Sequence, residues 1–181
     1  MTNLQDKKGK IRKLVGLILV TFIPDVNGKQ KLMAVLQKRG PWDFEVMKPE
    51  ILPGCYQVTF NGELKEKETF LSAFFRESGE ELGIKFTDKL KTNKTLRELN
   101  HLKKENKEVI IFGALVSPEQ LSLIRLSIST GGFALIDSNE IKKIIEVNPE
   151  IRENGVQKDR IVMFPDEIIA IKKAFEIFEK Q

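Results

Sequence analysis

With 181 residues, 41% hydrophobic and 31% charged, the chain suits one domain with a sizeable core and would be cramped as two. Its net charge of +4 comes from dispersed lysines with no recognised nucleic-acid motif, so nucleic acid is not the expected partner, while a mild positive field suits a small phosphorylated substrate. A single cysteine, Cys55, excludes an intrachain disulfide and a thiolate metal cluster, and a single histidine, His101, leaves Ser-His chemistry only if that residue serves.

In chain order, residues 1–10 are expected to be disordered. The basic residues from Lys7 to Lys13 followed by apolar Leu14 to Ile23 superficially resemble a secretory signal, but no small-residue cleavage site follows. The turn Pro24-Asp25-Val26-Asn27-Gly28 and a second strand-like run, Lys31 to Lys38, make a hairpin the better reading. Ten apolar residues are also too few to span a bilayer. A cytoplasmic, reducing location is expected, with no membrane partner. Gly40 to Gly54 reads as a connecting loop, and Tyr56 to Phe60 as a short strand leading into Asn61-Gly62.

Thr69 to Leu82 reads as a helix, capped by Thr69 and ended by Gly83 in a left-handed conformation, with Leu71, Phe74, Phe75, Ser78 and Leu82 on its packed face. Thr95 to Leu102 and Val109 to Val116 read as strands around a polar turn, the first with a helical alternative, and they place His101 on an exposed hairpin arm. Ser117-Pro118-Glu119 signals a helix start that gives only a turn. Ile124 to Ser129 alternates like a strand, Phe133 to Ile136 is another, and Ser138 caps a short helix to about Ile145. Asn148 to Lys158 reads as loop, and Pro165 opens a final amphipathic helix that buries Ile168, Ile169, Ala170, Phe175 and Phe178. Strands interleaved with a few helices, and no linker long enough to divide them, imply one α/β or α+β unit over residues 1–181 with a mixed sheet.

The helix after Gly62 carries the chemistry. At 100° per residue, Glu80 and Glu81 fall on either side of Glu77, near a helix C-terminus where the macrodipole disfavours negative charge. Three repelling carboxylates call for a compensating positive charge, and a hard divalent cation with oxygen ligands is the economical candidate.

The stretch from Gly62 to Ile84 resembles the Nudix box. Gly62, Glu68, Arg76-Glu77, Glu80-Glu81, Gly83 and Ile84 hold the box positions over 23 residues. Ser78 stands where the box usually has an aliphatic residue, Phe60-Asn61 where Pro-Gly is common, and Lys67 where many members have glycine. The resemblance implies a Nudix-type α/β/α sandwich that hydrolyses a nucleoside diphosphate linked to another moiety (a nucleotide, a nucleotide sugar or an ADP-ribose-like compound) using Mg²⁺ or Mn²⁺. It further implies that Glu77, Glu80 and Glu81 bind the metal and that Glu77 or Glu80 takes a proton from water. Arg76 and Glu68 would tie loop to helix, while Gly62 and Gly83 would serve the backbone. Homodimers are common in that family, and nothing in the sequence decides the oligomeric state.

A base or further ligand from a later loop is common in the family, and Glu119, Glu140 and Asp137 are the candidates by chain order. Lys38 and Arg39 are candidates for phosphate, and Trp42, Phe44 and Tyr56 for stacking on a base. Two other readings share the fold. One is a non-catalytic nucleotide- or protein-binding module, against which the intact box argues. The other is a diphosphate isomerase, which would need Cys55 as an active thiol.

Overall fold

The computed structural model describes residues 11–44, 47–126, 130–157 and 159–180. Its elements are β1 (Arg12–Pro24), β2 (Gln30–Arg39), β3 (Trp42–Asp43), β4 (Lys48–Pro49), β5 (Tyr56–Gln57), β6 (Phe60–Glu63), α1 (Phe70–Leu82), α2 (Ile84–Lys91), β7 (Arg97–Lys104), β8 (Lys107–Leu115), α3 (Pro118–Leu121), β9 (Thr130–Asp137), α4 (Ser138–Ile141), β10 (Ile145–Glu146), α5 (Pro149–Asn154), β11 (Val162–Met163) and α6 (Pro165–Phe178). No helix among the described residues is long and apolar enough to cross a membrane.

β1 is the central strand of a mixed sheet. It runs parallel to β8 on one edge, and on the other it pairs antiparallel with β6 through Leu14 to Leu17 and with β2 from Leu19 onward. Both of its faces are covered, which is why its sequence is continuously apolar rather than alternating. Val15, Leu17 and Leu19 pack beneath α1 with Phe60, Ala73 and Phe74. Ile18 and Val20 pack beneath α6 with Ile171, Ala174 and Phe178. The two helical layers on opposite faces make the expected α/β/α sandwich.

The expected strand from Tyr56 to Phe60 is two strands, because the chain crosses there from β2 to β1. At the crossing, the Thr59 hydroxyl donates to the Val35 carbonyl at 2.6 Å and accepts the Leu19 amide at 2.9 Å, filling the gap where β1 changes partner. Val58 and Thr59 are wholly buried at this seam.

Other boundaries also differ from expectation. Leu71 is exposed, and the packed stripe of α1 is Ala73, Phe74, Glu77, Ser78 and Leu82. The helix is turned so that Phe74 meets Phe60 and Phe112. Gly83 takes φ +91°, ψ 150°, a conformation open to glycine that turns the chain directly into α2, an element the sequence reading did not foresee. Ser78 occupies its aliphatic position by sharing a 2.9 Å hydrogen bond with Thr87 of α2.

Asp137 rather than Ser138 caps α4, which ends at Ile141, because Asp137 and Glu140 form a reciprocal capping box. The expected loop after Asn148 contains α5, with Asn148 as its cap and Pro149 in its first turn. Ile169 of α6 is exposed, while Glu167 is buried. Residues 124–126 form no strand, and the remainder of that expected strand, 127–129, lies outside the described residues, as does the expected disordered start.

Candidate active site

The split edge of β1 opens a cavity of about 500 Å³, a size suited to a small-molecule ligand. Gln37, Arg39 and Gln57 line it from β2 and β5, Asn61 to Glu63 from β6, Glu81 from the end of α1, and Phe164, Asp166 and Glu167 from the start of α6.

The box motif reaches the cavity through Gly62, Glu63 and Glu81, and behind them it is organised by the Arg76 guanidinium. Its Nε and Nη2 donate to the two oxygens of Glu68 at 2.7 and 2.9 Å. Nη2 also reaches the Glu63 carbonyl at 2.9 Å, and Nη1 bridges Glu77 at 2.6 Å and Glu80 at 2.9 Å. All five guanidinium donors are thereby used. Arg76 and the Lys65 amide hold the Glu68 carboxyl down to about 2, and Glu68, then Glu77, raise the guanidinium above its ordinary value. The expected Arg76–Glu68 pair is present, and Arg76 supplies part of the positive charge that sequence reasoning assigned to a cation.

Gly62 is required for a different reason from the one expected. It lies within β6 and makes no special turn; a Cβ there would overlap the Cγ and Cδ of Glu77. The missing side chain lets the Glu77 side chain lie against the strand, where the residue is only 9% exposed.

The three helix carboxylates do not act alike. Glu81 lines the cavity, Glu77 is buried against Gly62, and Glu80 is half exposed, 3.6 Å from Lys65 and facing a separate shallow groove with Phe75 and Ile84. Among the described residues, no group of three or more His, Cys, Asp and Glu side chains is placed to hold a metal ion. The chemistry of the donors still fits a hard cation. The cavity lining brings Asp43, Glu50, Glu63, Glu81, Asp166 and Glu167 against only Arg12, Arg39 and Lys107, an excess of oxygen donors typical of Mg²⁺ or Mn²⁺ sites.

None of the later-loop acids reaches the cavity lining. Asp137 pairs with Lys31 and caps α4 together with Glu140, and Glu119 lies at the start of α3, where the Ser117 hydroxyl lowers its pKa. The acids that do arrive from late in the chain are Asp166 and Glu167, which follow Pro165 at the opening of α6 and were not singled out from the sequence. Glu167 is only 4% exposed. Burial pushes its carboxyl up to about 7, opposed by the hydrogen bond from Asn61 and reinforced by neighbouring Asp166. An acid directly after Asp in the first turn of an otherwise apolar helix face was the available signal.

Of the proposed substrate contacts, Arg39 lines the cavity, donating to Gln57 at 3.0 Å and Glu50 at 2.8 Å with its guanidinium over the Phe164 ring. Lys38 instead lies over Tyr56, and Trp42 and Phe44 are exposed outside the lining. His101 is exposed, 3.0 Å from Glu108. Cys55 is wholly buried, its thiol donating to the Val162 carbonyl at 3.1 Å and pushed up to about 12 by burial, which leaves it unsuited to act as a nucleophile or acid.

No protein-family model matches the chain, and no curated protein matches it. Solved structures do. A mutT/nudix family protein from Listeria innocua superposes with a TM-score of 0.65 at 21% identity, covering 95% of this chain and 96% of that one. A MutT/nudix family protein from Enterococcus faecalis gives 0.60 at 12% identity over 99% of this chain and 66% of its own. The NUDIX domain of Shewanella oneidensis NrtR, solved with ADP ribose, gives 0.55 at 14% identity over 97% and 98%. The fold of this chain is that of the MutT/nudix proteins, the same family that the motif from Gly62 to Ile84 resembles.

Proposed function

We propose that this chain is a metal-dependent Nudix hydrolase that uses water to cleave a diphosphate linkage in a nucleoside diphosphate derivative. The observation that carries this reading is the acid-rich cavity beside a box motif whose glycine and charged positions are all present. Arg12, Arg39 and Lys107 pair with three of the six lining carboxylates, and the remaining acid excess would repel a diphosphate unless hard cations neutralised both, so the cavity makes chemical sense for such a substrate only together with Mg²⁺ or Mn²⁺.

Glu77 and Glu81, joined by Glu80 if its side chain turns inward, would hold the ion. When bound, it would neutralise the diphosphate and lower the pKa of a coordinated water. The chain's own residues do the rest. Arg76 and Glu68 clamp the loop onto α1 and so set the position of Glu77. Gly62 admits Glu77 to the strand, and Glu77 or Glu80 takes the proton from water; the burial of Glu77 beside the cavity residue Gly62 supports Glu77. Asp166, which lines the cavity, takes the place of Glu119, Glu140 and Asp137 as the acid from outside the box.

Glu80→Gln and Glu81→Gln variants are expected to stay folded and lose nearly all Mg²⁺-dependent turnover; unchanged rates would refute the assignment. A panel of nucleoside triphosphates, ADP-ribose, dinucleoside polyphosphates, sugar nucleotides and capped RNA, each with Mg²⁺ and Mn²⁺, identifies the substrate.

One observation favours a second reading, a nucleotide-binding module without turnover: Arg76 already occupies Glu77 and Glu80, and no three acids among the described residues are placed to hold a metal ion together. Tight binding of a panel member with no product after long incubation with Mn²⁺ would establish it.

A further inference from the structure

The Glu167 carboxyl is unusual for a surface helix. It sits in the first turn of α6, is 96% buried and lines the cavity. One oxygen, Oε1, accepts a 2.6 Å hydrogen bond from Asn61 Nδ2, while Oε2 makes no hydrogen bond of good geometry, and the Val58 backbone adds only a minor stabilisation of the carboxylate. A buried, half-satisfied carboxyl is costly and uncommon, and a cavity-side example calls for a partner that the protein itself does not supply.

Asn61 is equally committed. Its Oδ1 lies where a Cβ on Gly16 would come within 2.7 Å, so only glycine at position 16 lets this side chain lie across β1 and reach α6. Asn61 is also where this chain departs from the Pro-Gly commonly preceding the box glycine. Around the pair, the cavity offers the Gln37 and Gln57 amides and the Phe164 ring, with Asp166 beside them and Glu50 held by Arg39. An anionic phosphate is disfavoured beside these acids, whereas a neutral, flat group with a donor is accommodated.

We propose that Glu167 is a recognition residue for the phosphate-free part of the ligand, accepting a hydrogen bond from an uncharged N–H or O–H donor, and that Asn61 is its positioning residue. The donor chemistry is that of a nucleobase edge or a sugar hydroxyl. This rests on the proposed function only in taking the ligand to be a nucleoside diphosphate derivative; it does not require turnover.

Glu167→Gln keeps the shape and the acceptor for Asn61 but replaces the free oxygen with an N–H₂ donor, setting donor against donor. Calorimetric titration with ADP, GDP, CDP, UDP and ADP-ribose is expected to show wild-type binding of at least one. Glu167→Gln should weaken that binding by at least about tenfold, and Asn61→Ala by less. Where turnover is measurable, Glu167→Gln should raise KM more than it lowers kcat. Loss of the effect with a ligand lacking the base donor identifies the base as the source, and loss with a 2′-deoxy ligand identifies the sugar. A folded Glu167→Gln that binds every probe as wild type does overturns the inference, as does a wild type that binds none. Glu167-dependent binding without hydrolysis of any substrate would retain this inference and refute the hydrolase instead.

Discussion

Arg76 and Glu68 meet side-on, through Nε to Oε1 at 2.7 Å and Nη2 to Oε2 at 2.9 Å, so the loop after β6 is clamped to the middle of α1 by two parallel charge-assisted bonds. The other edge of the guanidinium holds Glu77 and Glu80. Glu68→Gln keeps one acceptor and loses the charge, freeing Arg76 to shift and take Glu77 with it. Turnover is expected to fall by on the order of a hundredfold, as misplacement by about an ångström commonly does, with the far-UV circular dichroism unchanged.

The same pair has a pH signature. Glu68 is held down to about 2 from an ordinary value of 4.5, so its folded state binds the proton less readily than the unfolded chain does. The stabilisation is complete above about pH 4.5 and is lost as pH falls toward 2. Urea titrations across that interval should show the advantage of wild type over Glu68→Gln shrinking with acid.

Glu167 shows the opposite sign. Burial raises its carboxyl to about 7, so the folded state holds the proton more tightly than the unfolded one. Its cost to stability is absent below about pH 4.5, grows as pH rises and is complete above about 7, where it amounts to roughly 3 kcal/mol. Glu167→Gln should therefore melt higher than wild type at pH 8 and close to it at pH 4, despite weaker ligand binding. Equal melting temperatures at pH 8 would contradict this burial cost.

Gly62→Ala tests the packing of β6 against α1. The added methyl group meets the Glu77 side chain rather than an open surface, so Glu77 must leave its position. The expected cost is about 1–3 kcal/mol of stability together with loss of nearly all turnover. A variant as active as wild type would remove Glu77 from the proposed site.

Thr59→Val tests the seam. The isosteric change leaves the Leu19 amide and the Val35 carbonyl without their bridging hydroxyl in a wholly buried position. An expected loss of about 2–4 kcal/mol in urea unfolding follows from two buried backbone groups going unpaired.

Much of this protein was legible along the chain. The hairpin of β1 and β2, α1 with its Thr69 cap, α6 behind Pro165, and the pairing of Glu68 with Arg76 depend on periodicity, capping chemistry and charges at fixed spacing. Such relationships span few residues and are expressed in sequence order. So did the resemblance of Gly62 to Ile84 to the Nudix box, which the fold matches.

What only the tertiary structure decided are the relationships between residues far apart in sequence. Thr59 closes a gap between Leu19 and Val35 that exists because β1 changes partner, and no local pattern encodes that exchange. Gly62 reads as a turn residue until α1 is laid against β6 and Glu77 occupies the space a side chain would need. Glu167 lies 106 residues from Asn61 and looks like an ordinary first-turn acid until the fold buries it across from that partner. The sequence by itself determined which elements form and which carboxylates sit together on one helix, because those follow from local geometry. Which acids reach the cavity was set by how the layers pack, since burial and approach depend on all the elements at once.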